Sequence, residues 1–111
     1  MASVVSEFGL SDSILNDLRG VFAAYPEIER VLVFGSRAKA TFKDGSDIDL
    51  AVFAPTMREP RFTELWNKLD ALPLVFKMDV LHWNTLGNER LQDKISNEGK
   101  VLYSFHGTAK Q

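Results

Sequence analysis

The sequence predicts an α/β (α+β) fold in which helices pack on a small mixed sheet. Segments with apolar residues at helical spacing alternate with short β-branched runs, in the order α-β-α-β-α-β-α. The turn residues at 44–47 allow two neighbouring strands to run antiparallel, so the sheet can be mixed. With 111 residues, 45% of them apolar, the chain suits a single domain over 1–111.

Four helices are predicted from apolar periodicity and from residues that favour helix ends. The first is capped by Ser11 or Ser13 and runs to about Ala24, because the apolar residues in this stretch recur at helical spacing. The other three are a short helix that begins at Ser36, a helix over 60–71, and a helix over 85–98 followed by Gly99 as its C′ residue.

Three strands are predicted from β-branched and apolar runs bounded by glycine or proline. They span 30–34, 47–53 and 74–83. The segment 100–105 is predicted to form a short strand or a packed tail. Residues 1–10 and 104–111 are expected to be a loose arm and a loose tail.

The composition excludes several classes of protein. A net charge of −2 argues against a general nucleic-acid binder, although a local cationic pocket for a nucleotide remains compatible with it. The absence of cysteine excludes disulfides and thiolate metal sites. No signal peptide or membrane span is predicted, and we expect a cytoplasmic protein.

Two aspartates stand at the mouth of the predicted second strand. Asp47 and Asp49 are two residues apart, so their side chains lie on one side of the strand while Ile48 and Leu50 face the core. Two adjacent carboxylates need a cation, or one of them must take a proton. Mg²⁺ prefers carboxylate oxygen, so the pair predicts a metal site. The alternative is a solvated strand start.

A possible phosphate-binding turn follows the first strand. Gly35 lets the backbone approach a bulky anion, and Ser36 adds a hydroxyl donor at a predicted helix start. Arg37 and Lys39 supply cations nearby, although both are equally well explained as surface residues.

A third carboxylate, Asp79, lies in the otherwise apolar third strand. If this strand lies beside the second, Asp79 can complete a triad with Asp47 and Asp49, as a metal ligand or as a base for an attacking hydroxyl. The alternative is a salt bridge to a nearby lysine or arginine. His82 falls on the opposite face of the strand from Asp79 and is predicted to be structural.

The glycine-serine pair, ten intervening residues and then Asp47-Ile48-Asp49 resemble the signature of the DNA polymerase β nucleotidyltransferase superfamily. The stretch "GSRAKATFKDGSDIDLAV" and the short chain resemble its minimal nucleotidyltransferases, the MNT or MntA-type antitoxins. The resemblance covers about 29–103. One departure is Ala40, where many members have glycine.

The resemblance implies a polymerase β-like palm fold, and it implies residue roles. Gly35 and Ser36 would bind the triphosphate, with Asp47 and Asp49 holding two Mg²⁺ ions and Asp79 as the third acidic residue. The implied reaction transfers AMP from ATP to a hydroxyl group of a small helical HEPN-domain toxin that is encoded beside the protein. In the family this hydroxyl usually belongs to a tyrosine. The protein would be the antitoxin of that pair.

Two alternatives remain open at the level of sequence. The chain could occlude its toxin without catalysis, or it could modify a small molecule. The short chain leaves little room for an acceptor-binding domain, which disfavours the second alternative and favours a complex with a partner protein. It also allows a homodimer.

Overall fold

The computed structural model of the chain describes residues 7–39, 47–74 and 77–105. Within them lie three α-helices, α1 Asp12–Ala23, α2 Glu59–Asp70 and α3 Glu89–Glu98. The four strands of the same ranges are β1 Arg30–Phe34, β2 Ile48–Phe53, β3 Met78–His82 and β4 Lys100–Ser104. Single 3₁₀ turns occupy Glu7–Gly9, Gly35–Arg37 and Trp83–Thr85.

The strands form one mixed sheet with the order β3-β2-β1-β4. The central strand β1 pairs antiparallel with β2 and with β4, whereas β2 and β3 run parallel. The sheet is therefore mixed, as the sequence predicted, and the segment after α3 is a strand. The parallel pair brings the starts of β2 and β3 side by side at one end of the sheet.

Helices cover both faces of the sheet, which confirms the predicted α/β class. The face toward α1 and α2 buries alternate strand residues such as Val33, Leu50 and Leu102 against Leu18 and Leu65. The opposite face carries a smaller cluster in which Ile95 of α3 packs with three residues of β1 and β2, namely Leu32, Ala51 and Phe53. The alternation follows from the two-residue period of a strand.

The first helix begins where the sequence predicted. The Ser11 hydroxyl accepts a hydrogen bond from the backbone N–H of Ile14 at 3.2 Å, which satisfies one of the free donors of the first turn. In α2, Pro60 lies in the first turn, where its missing N–H leaves no intrahelical bond unmade.

The prediction of a helix that begins at Ser36 is wrong over the residues that the structure describes. Only one 3₁₀ turn, Gly35–Arg37, forms there, and Ala40 with the rest of that segment lies outside the described ranges. A single turn aligns few peptide dipoles, so little of the expected helix dipole is available to a bound anion.

Two other predicted bounds shift. The last helix starts at Glu89 rather than at Thr85, because the Asn88 side chain caps it by accepting from Leu91 N–H at 3.1 Å. The strand predicted over 74–83 is described only as Met78–His82, since Leu74 lies outside it and Trp83 opens a 3₁₀ turn.

Gly99 ends α3 in a different conformation from the predicted left-handed C′ residue. Its backbone is extended, with φ −70° and ψ 152°, and its N–H donates to Ile95 O at 2.8 Å. A Cβ at this position would lie 2.6 Å from that same oxygen and 3.0 Å from Leu32 Cδ1. Glycine is therefore required here by close packing between α3 and β1.

The chain ends differ from the expected loose segments where they are described. Leu10 is fully buried in the main core, and Phe105 N–H donates to Glu29 O at 2.9 Å beyond β4. In the parts of the chain that the structure describes, no helix combines the length and the apolar character needed to cross a membrane.

Candidate active site

Asp49 and Asp79 lie directly opposite each other in the parallel pair of β2 and β3. Both side chains project from the face of the sheet that also carries Ala51 and Leu81 farther along the strands. Asp49 is half-buried and Asp79 is exposed at the edge strand. The third strand therefore lies beside the second. The prediction that Asp79 joins Asp47 and Asp49 depended on this neighbourhood.

The electrostatics of Asp49 reflect this arrangement. Burial raises the pKa of Asp49, and the negative charge of Asp79 and then that of Asp47 raise it further. A hydrogen bond between the Asp49 and Asp79 side chains acts in the same direction. A carboxylate crowded by like charges is stabilised by a cation or by a proton.

Asp47 is exposed and immediately precedes β2. The following residue, Ile48, is held to β3 by its N–H, which donates to Lys77 O at 2.9 Å, so Asp47 lies at the shared start of both strands. Asp47, Asp49 and Asp79 thus lie at one end of the sheet.

The donor set fits a hard divalent cation, because all three groups are carboxylates and Asp49 carries unfavourable like-charge contacts. As the side chains stand, no three His, Cys, Asp or Glu residues of 7–39, 47–74 and 77–105 converge closely enough to hold a metal ion. The chemistry of the residues therefore supports a metal site, and rotation of the exposed carboxylates would be needed to complete one.

The backbone of Gly35 packs against the Asp49 carboxylate. Its φ is +77°, a left-handed conformation that glycine adopts without strain. A Cβ on Gly35 would lie 2.5 Å from Asp49 Oδ2, so a larger residue would displace the carboxylate. The glycine that the sequence assigned to phosphate approach is therefore also the residue that makes room for Asp49.

Ser36 follows in the 3₁₀ turn and is half-buried. Phe34, the residue before the turn, pairs with Asp49 across β1 and β2. This register carries the glycine-serine turn to the carboxylate end of the sheet. A phosphate near Ser36 would therefore lie next to Asp49, as the predicted role of the turn requires.

Arg37 is only 4% exposed and has partners inside the protein. Its Nη1 donates to Phe8 O at 2.8 Å and lies 3.5 Å from Gly9 O. Phe8 has a positive φ of 59°, which is unusual for an aromatic residue. The guanidinium therefore ties the described N-terminal turn to the glycine-serine turn, and its predicted contact with phosphate stays a prediction.

Lys39 joins the same turn to the end of α3. Its Nζ lies 3.0 Å from Glu98 Oε1, and the two side chains are 50% and 39% exposed. An exposed pair of this kind contributes little to stability. The lysine remains available to exchange Glu98 for a phosphate oxygen, and the predicted phosphate role is untested.

A cavity of about 590 Å³ opens beside the carboxylates, between the start of β3 and the end of α2. Its described lining includes Asp47, Asp79, Trp66, Asp70 and Lys77. Trp66 of α2 is 40% exposed at this cavity. The other tryptophan, Trp83, stacks on Phe53 in the second cluster with ring centroids 4.4 Å apart.

Sequence reasoning missed the cavity because its wall combines residues of two distant elements. Nothing in the local pattern of α2 marks Trp66 or Asp70 as neighbours of Asp79. The available signal is Lys77, a cation two residues before Asp79 on the same side of the strand. His82 meets its prediction, since it is buried, lies 2.8 Å from Ala54 O through Nε2 and stacks on Phe62.

Comparison with known proteins gives the class that this sheet, glycine turn and carboxylate group define. A sequence profile of the family "Polymerase beta, Nucleotidyltransferase" matches residues 16–106 of the chain. The protein is therefore a nucleotidyltransferase by family. No curated protein matches the chain in sequence.

Solved structures agree with this class. A toxin–antitoxin crystallised with AMP-PNP is 25% identical, with a TM-score of 0.66 over 85% of this chain and 76% of the other. A mutant MntA-HpeT toxin–antitoxin is 24% identical, with a TM-score of 0.61 over 89% and 77%. A proposed nucleotidyltransferase from Sulfolobus solfataricus is 19% identical, with a TM-score of 0.51 over 89% and 94%. The last two show the shared fold alone.

The chain belongs to the polymerase beta nucleotidyltransferase family. Its likeness at 25% identity to a toxin–antitoxin crystallised with AMP-PNP agrees with the predicted resemblance to the minimal nucleotidyltransferases.

Proposed function

We propose that the protein transfers AMP from ATP to a hydroxyl group of a partner protein. The observation that carries the proposal is the position of Asp49, which has Asp79 directly opposite it and Gly35 packed against its carboxylate. A nucleotide fits this arrangement, since one end of the sheet offers an open backbone turn for phosphates next to three carboxylates. The toxin–antitoxin crystallised with AMP-PNP supports the choice of an adenine nucleotide.

The reaction is a substitution at the α-phosphorus. The acceptor oxygen forms a bond to this atom, the bond to the oxygen that bridges to the β-phosphorus breaks, and pyrophosphate leaves with the electron pair. Asp79 is exposed at the sheet edge, where it is accessible to an acceptor and can take the hydroxyl proton. Catalysis of this kind depends on positioning and charge neutralisation more than on covalent help from the protein.

We assign Asp47, Asp49 and Asp79 as the residues that would hold Mg²⁺. When bound, Mg²⁺ supplies positive charge to the phosphate oxygens. The raised pKa of Asp49 supports this assignment, because a cation would relieve the like-charge contacts that raise it.

The β- and γ-phosphates belong, in this proposal, at Gly35 and Ser36. The left-handed backbone of Gly35 brings the turn against Asp49, and the Ser36 hydroxyl that follows can donate to a phosphate oxygen. Lys39 would contact the phosphates by leaving Glu98, 3.0 Å away. Arg37 would act by holding the glycine-serine turn in place, because its guanidinium donates a hydrogen bond to the Phe8 carbonyl oxygen.

We further propose that the acceptor is a tyrosine of a HEPN-domain toxin and that the protein is its antitoxin in the cytoplasm. The support is the likeness, at 25% identity, to the toxin–antitoxin crystallised with AMP-PNP. Attachment of AMP would add a bulky anion to the toxin and silence it.

The test is the intact mass of the co-encoded partner after incubation with the purified protein, ATP and Mg²⁺. We expect a gain of one or more AMP units that is lost in Asp47→Asn combined with Asp49→Asn. If the partner gains no mass and is nevertheless silenced in a stable complex, the protein acts by occlusion and the catalytic proposal is wrong. If only small acceptors gain AMP, the partner assignment is wrong.

A further inference from the structure

A second cavity, of about 530 Å³, lies at the end of β3 that is farther from the carboxylates. Asp79 is the second residue of this strand and His82 is its last, so the two are separated by roughly 10 Å along the strand. The described lining of the cavity includes neither the glycine-serine turn nor the three carboxylates. The volume is within the range of small-ligand sites, roughly 300–1,000 Å³. A ligand here would leave the proposed nucleotide site free.

The cavity wraps around the free edge of β3, which is the outer strand of the sheet. Phe62 and Val80 pack toward the main core under α1 and α2, whereas Leu81 and Leu86 pack toward the smaller cluster under α3. All four line the cavity, so both layers of the protein contribute apolar side chains to its wall. Such a wall suits the apolar body of an organic ligand.

His82 adds a buried hydrogen-bond acceptor to this wall. The residue is 8% exposed, and its ring stacks on Phe62 with centroids 5.1 Å apart. Its Nε2 lies 2.8 Å from Ala54 O. A carbonyl oxygen only accepts, so Nε2 carries the proton, and the neutral ring then has a lone pair on Nδ1. Among the residues that the structure describes, Nδ1 has no hydrogen-bond partner.

The other two polar side chains of the described lining, Glu59 and Thr85, also offer acceptors. Glu59 is exposed in the first turn of α2, and it forms no ion pair with another described residue. The Thr85 hydroxyl donates its hydrogen to His82 O at 3.2 Å and keeps its lone pairs. The described lining contains no lysine or arginine. The cavity therefore combines acceptors and one negative charge with an apolar wall.

From these observations we infer that the cavity binds an organic ammonium ion with an apolar body. The ammonium N–H groups donate to the Glu59 carboxylate and to His82 Nδ1, and the body packs on Phe62 and Leu86. A phosphate or a carboxylate ligand would meet Glu59 as a like charge. Free amines and the lysine side chains of a partner protein both carry this group, and the experiments below separate them. The inference does not depend on nucleotidyl transfer, because the protein alone is tested.

The first test compares two probes of the same shape, 2-phenylethylamine and 2-phenylethanol, by NMR titration of the backbone amides. We expect the amine to saturate the protein with a Kd of about 1 mM or tighter, which a ligand of this size can reach. The amides that shift should lie in 59–62 and 80–86. The alcohol should bind at least about threefold more weakly, because it lacks the charge. Equal Kd values, or shifts confined to other segments, would overturn the inference.

A matched pair of substitutions tests the role of Glu59. Glu59 and Glu89 are both exposed, and each is the first residue of its helix, but of the two only Glu59 lines the cavity. We expect Glu59→Gln to raise the Kd for the amine about threefold, since the carboxylate is solvent-exposed, and Glu89→Gln to leave it unchanged. The Kd for the alcohol should stay the same in both variants. An equal effect of the two substitutions on the amine would mean general attraction to a negative protein and would refute the site.

The imidazole ¹⁵N resonances test the role of His82. The chain has two histidines, and His106→Gln leaves the signals of His82 alone. At saturation with the amine, the Nδ1 resonance should move toward that of a protonated nitrogen while the Nε2 resonance stays in place. An unmoved Nδ1 resonance would contradict the proposed contact.

A third probe, N-acetyl-lysine methylamide, separates the two sources of the ammonium group. Tighter binding of this probe than of 2-phenylethylamine would support a lysine side chain of a partner protein, and weaker binding would support a free amine. If neither probe binds, the inference is wrong.

Discussion

Asp49 of β2 and Asp79 of β3 are directly opposite each other across a parallel strand pair. Burial together with the charges of Asp79 and Asp47 raises the pKa of Asp49. The fold therefore holds a carboxylate where its charge is unfavourable in the absence of a cation. Such a position is typical of a site selected for function rather than for stability.

Removal of this charge should stabilise the metal-free protein. We expect Asp49→Asn to raise the free energy of unfolding by about 0.5–1 kcal/mol, since the like-charge contacts disappear while the shape is kept. Urea unfolding at neutral pH in the presence of a chelator measures this change. A destabilised variant would show that the Asp49 charge has a stabilising partner.

Mg²⁺ should stabilise the wild type more than it stabilises Asp49→Asn. At about ten times its Kd, Mg²⁺ adds roughly 1.4 kcal/mol to the stability of a protein that binds it only when folded. We expect this gain in the wild type and a much smaller one in Asp49→Asn, with Ca²⁺-free buffers in both cases. Equal gains would place the ion elsewhere on the protein.

Gly35 should tolerate no side chain. In Gly35→Ala a left-handed residue with φ +77° acquires a Cβ that lies 2.5 Å from Asp49 Oδ2. We expect a loss of about 1–3 kcal/mol in unfolding free energy, from strain and displacement of the carboxylate, together with loss of AMP transfer. Chemical denaturation and the mass assay measure the two effects.

Gly20 provides a matched control for that substitution. It lies in α1, and a Cβ built there meets nothing within 4 Å. Gly20→Ala should stabilise the protein by about 0.5–1 kcal/mol, because alanine is the better helix former. If the two substitutions had the same effect, the close contact between Gly35 and Asp49 would not exist in solution.

Arg37 should act on stability more than on ATP affinity. Arg37→Met removes the donor to Phe8 O while filling similar space, and a hydrogen bond from a charged group contributes about 1.5–3 kcal/mol. Unfolding free energy should fall by about this amount, whereas the control Arg90→Met, at an exposed position of α3, should have little effect. Wild-type stability with a tenfold higher KM for ATP would instead assign Arg37 to phosphate binding.

The fall in unfolding free energy at acidic pH should depend in part on Glu27. The hydrogen bond from Arg61, with Nε 2.8 Å from Glu27 Oε2, lowers the pKa of this carboxyl. The unfolded chain therefore takes up the proton first, so the stabilisation is present above the unfolded pKa, about 4.3, and is lost as the pH falls through the folded pKa.

Glu27→Gln should remove this part of the pH dependence. Because both side chains are partly exposed, the loss at neutral pH should be only about 0.2–1 kcal/mol. The measurement is the midpoint of thermal unfolding between about pH 3 and pH 7 for both proteins. A variant whose midpoint keeps the wild-type slope would show that the ion pair contributes nothing.

Local sequence patterns predicted the elements that carry the carboxylates. The strand over 30–34 has the predicted bounds, and β2 begins one residue after Asp47 because Ile48 and Leu50 must face the core. The spacing of Gly35 and Ser36 from the aspartate pair indicated the family, since that spacing reflects two adjacent strands joined by one connection. These features depend on contacts between neighbours in sequence or on strand periodicity.

The remaining features depend on which distant elements meet. The strand register places Asp49 opposite Asp79, although the two residues are thirty positions apart in the sequence. The burial of Arg37 follows from the path of the N-terminal turn, and the exposure of Trp66 follows from where α2 ends relative to β3. Neither path is encoded in a local pattern, so neither could be predicted.

We propose that the chemistry at Asp47, Asp49 and Asp79 is transfer of a nucleotidyl group and not of a terminal phosphate. The most direct measurement follows radiolabel to the co-encoded partner from ATP labelled at the α-phosphate and, in parallel, from ATP labelled at the γ-phosphate. We expect the partner to acquire the α-label and none of the γ-label, and we expect Asp47→Asn to abolish the transfer. Transfer of the γ-label, or a silenced partner that carries neither label, would contradict it.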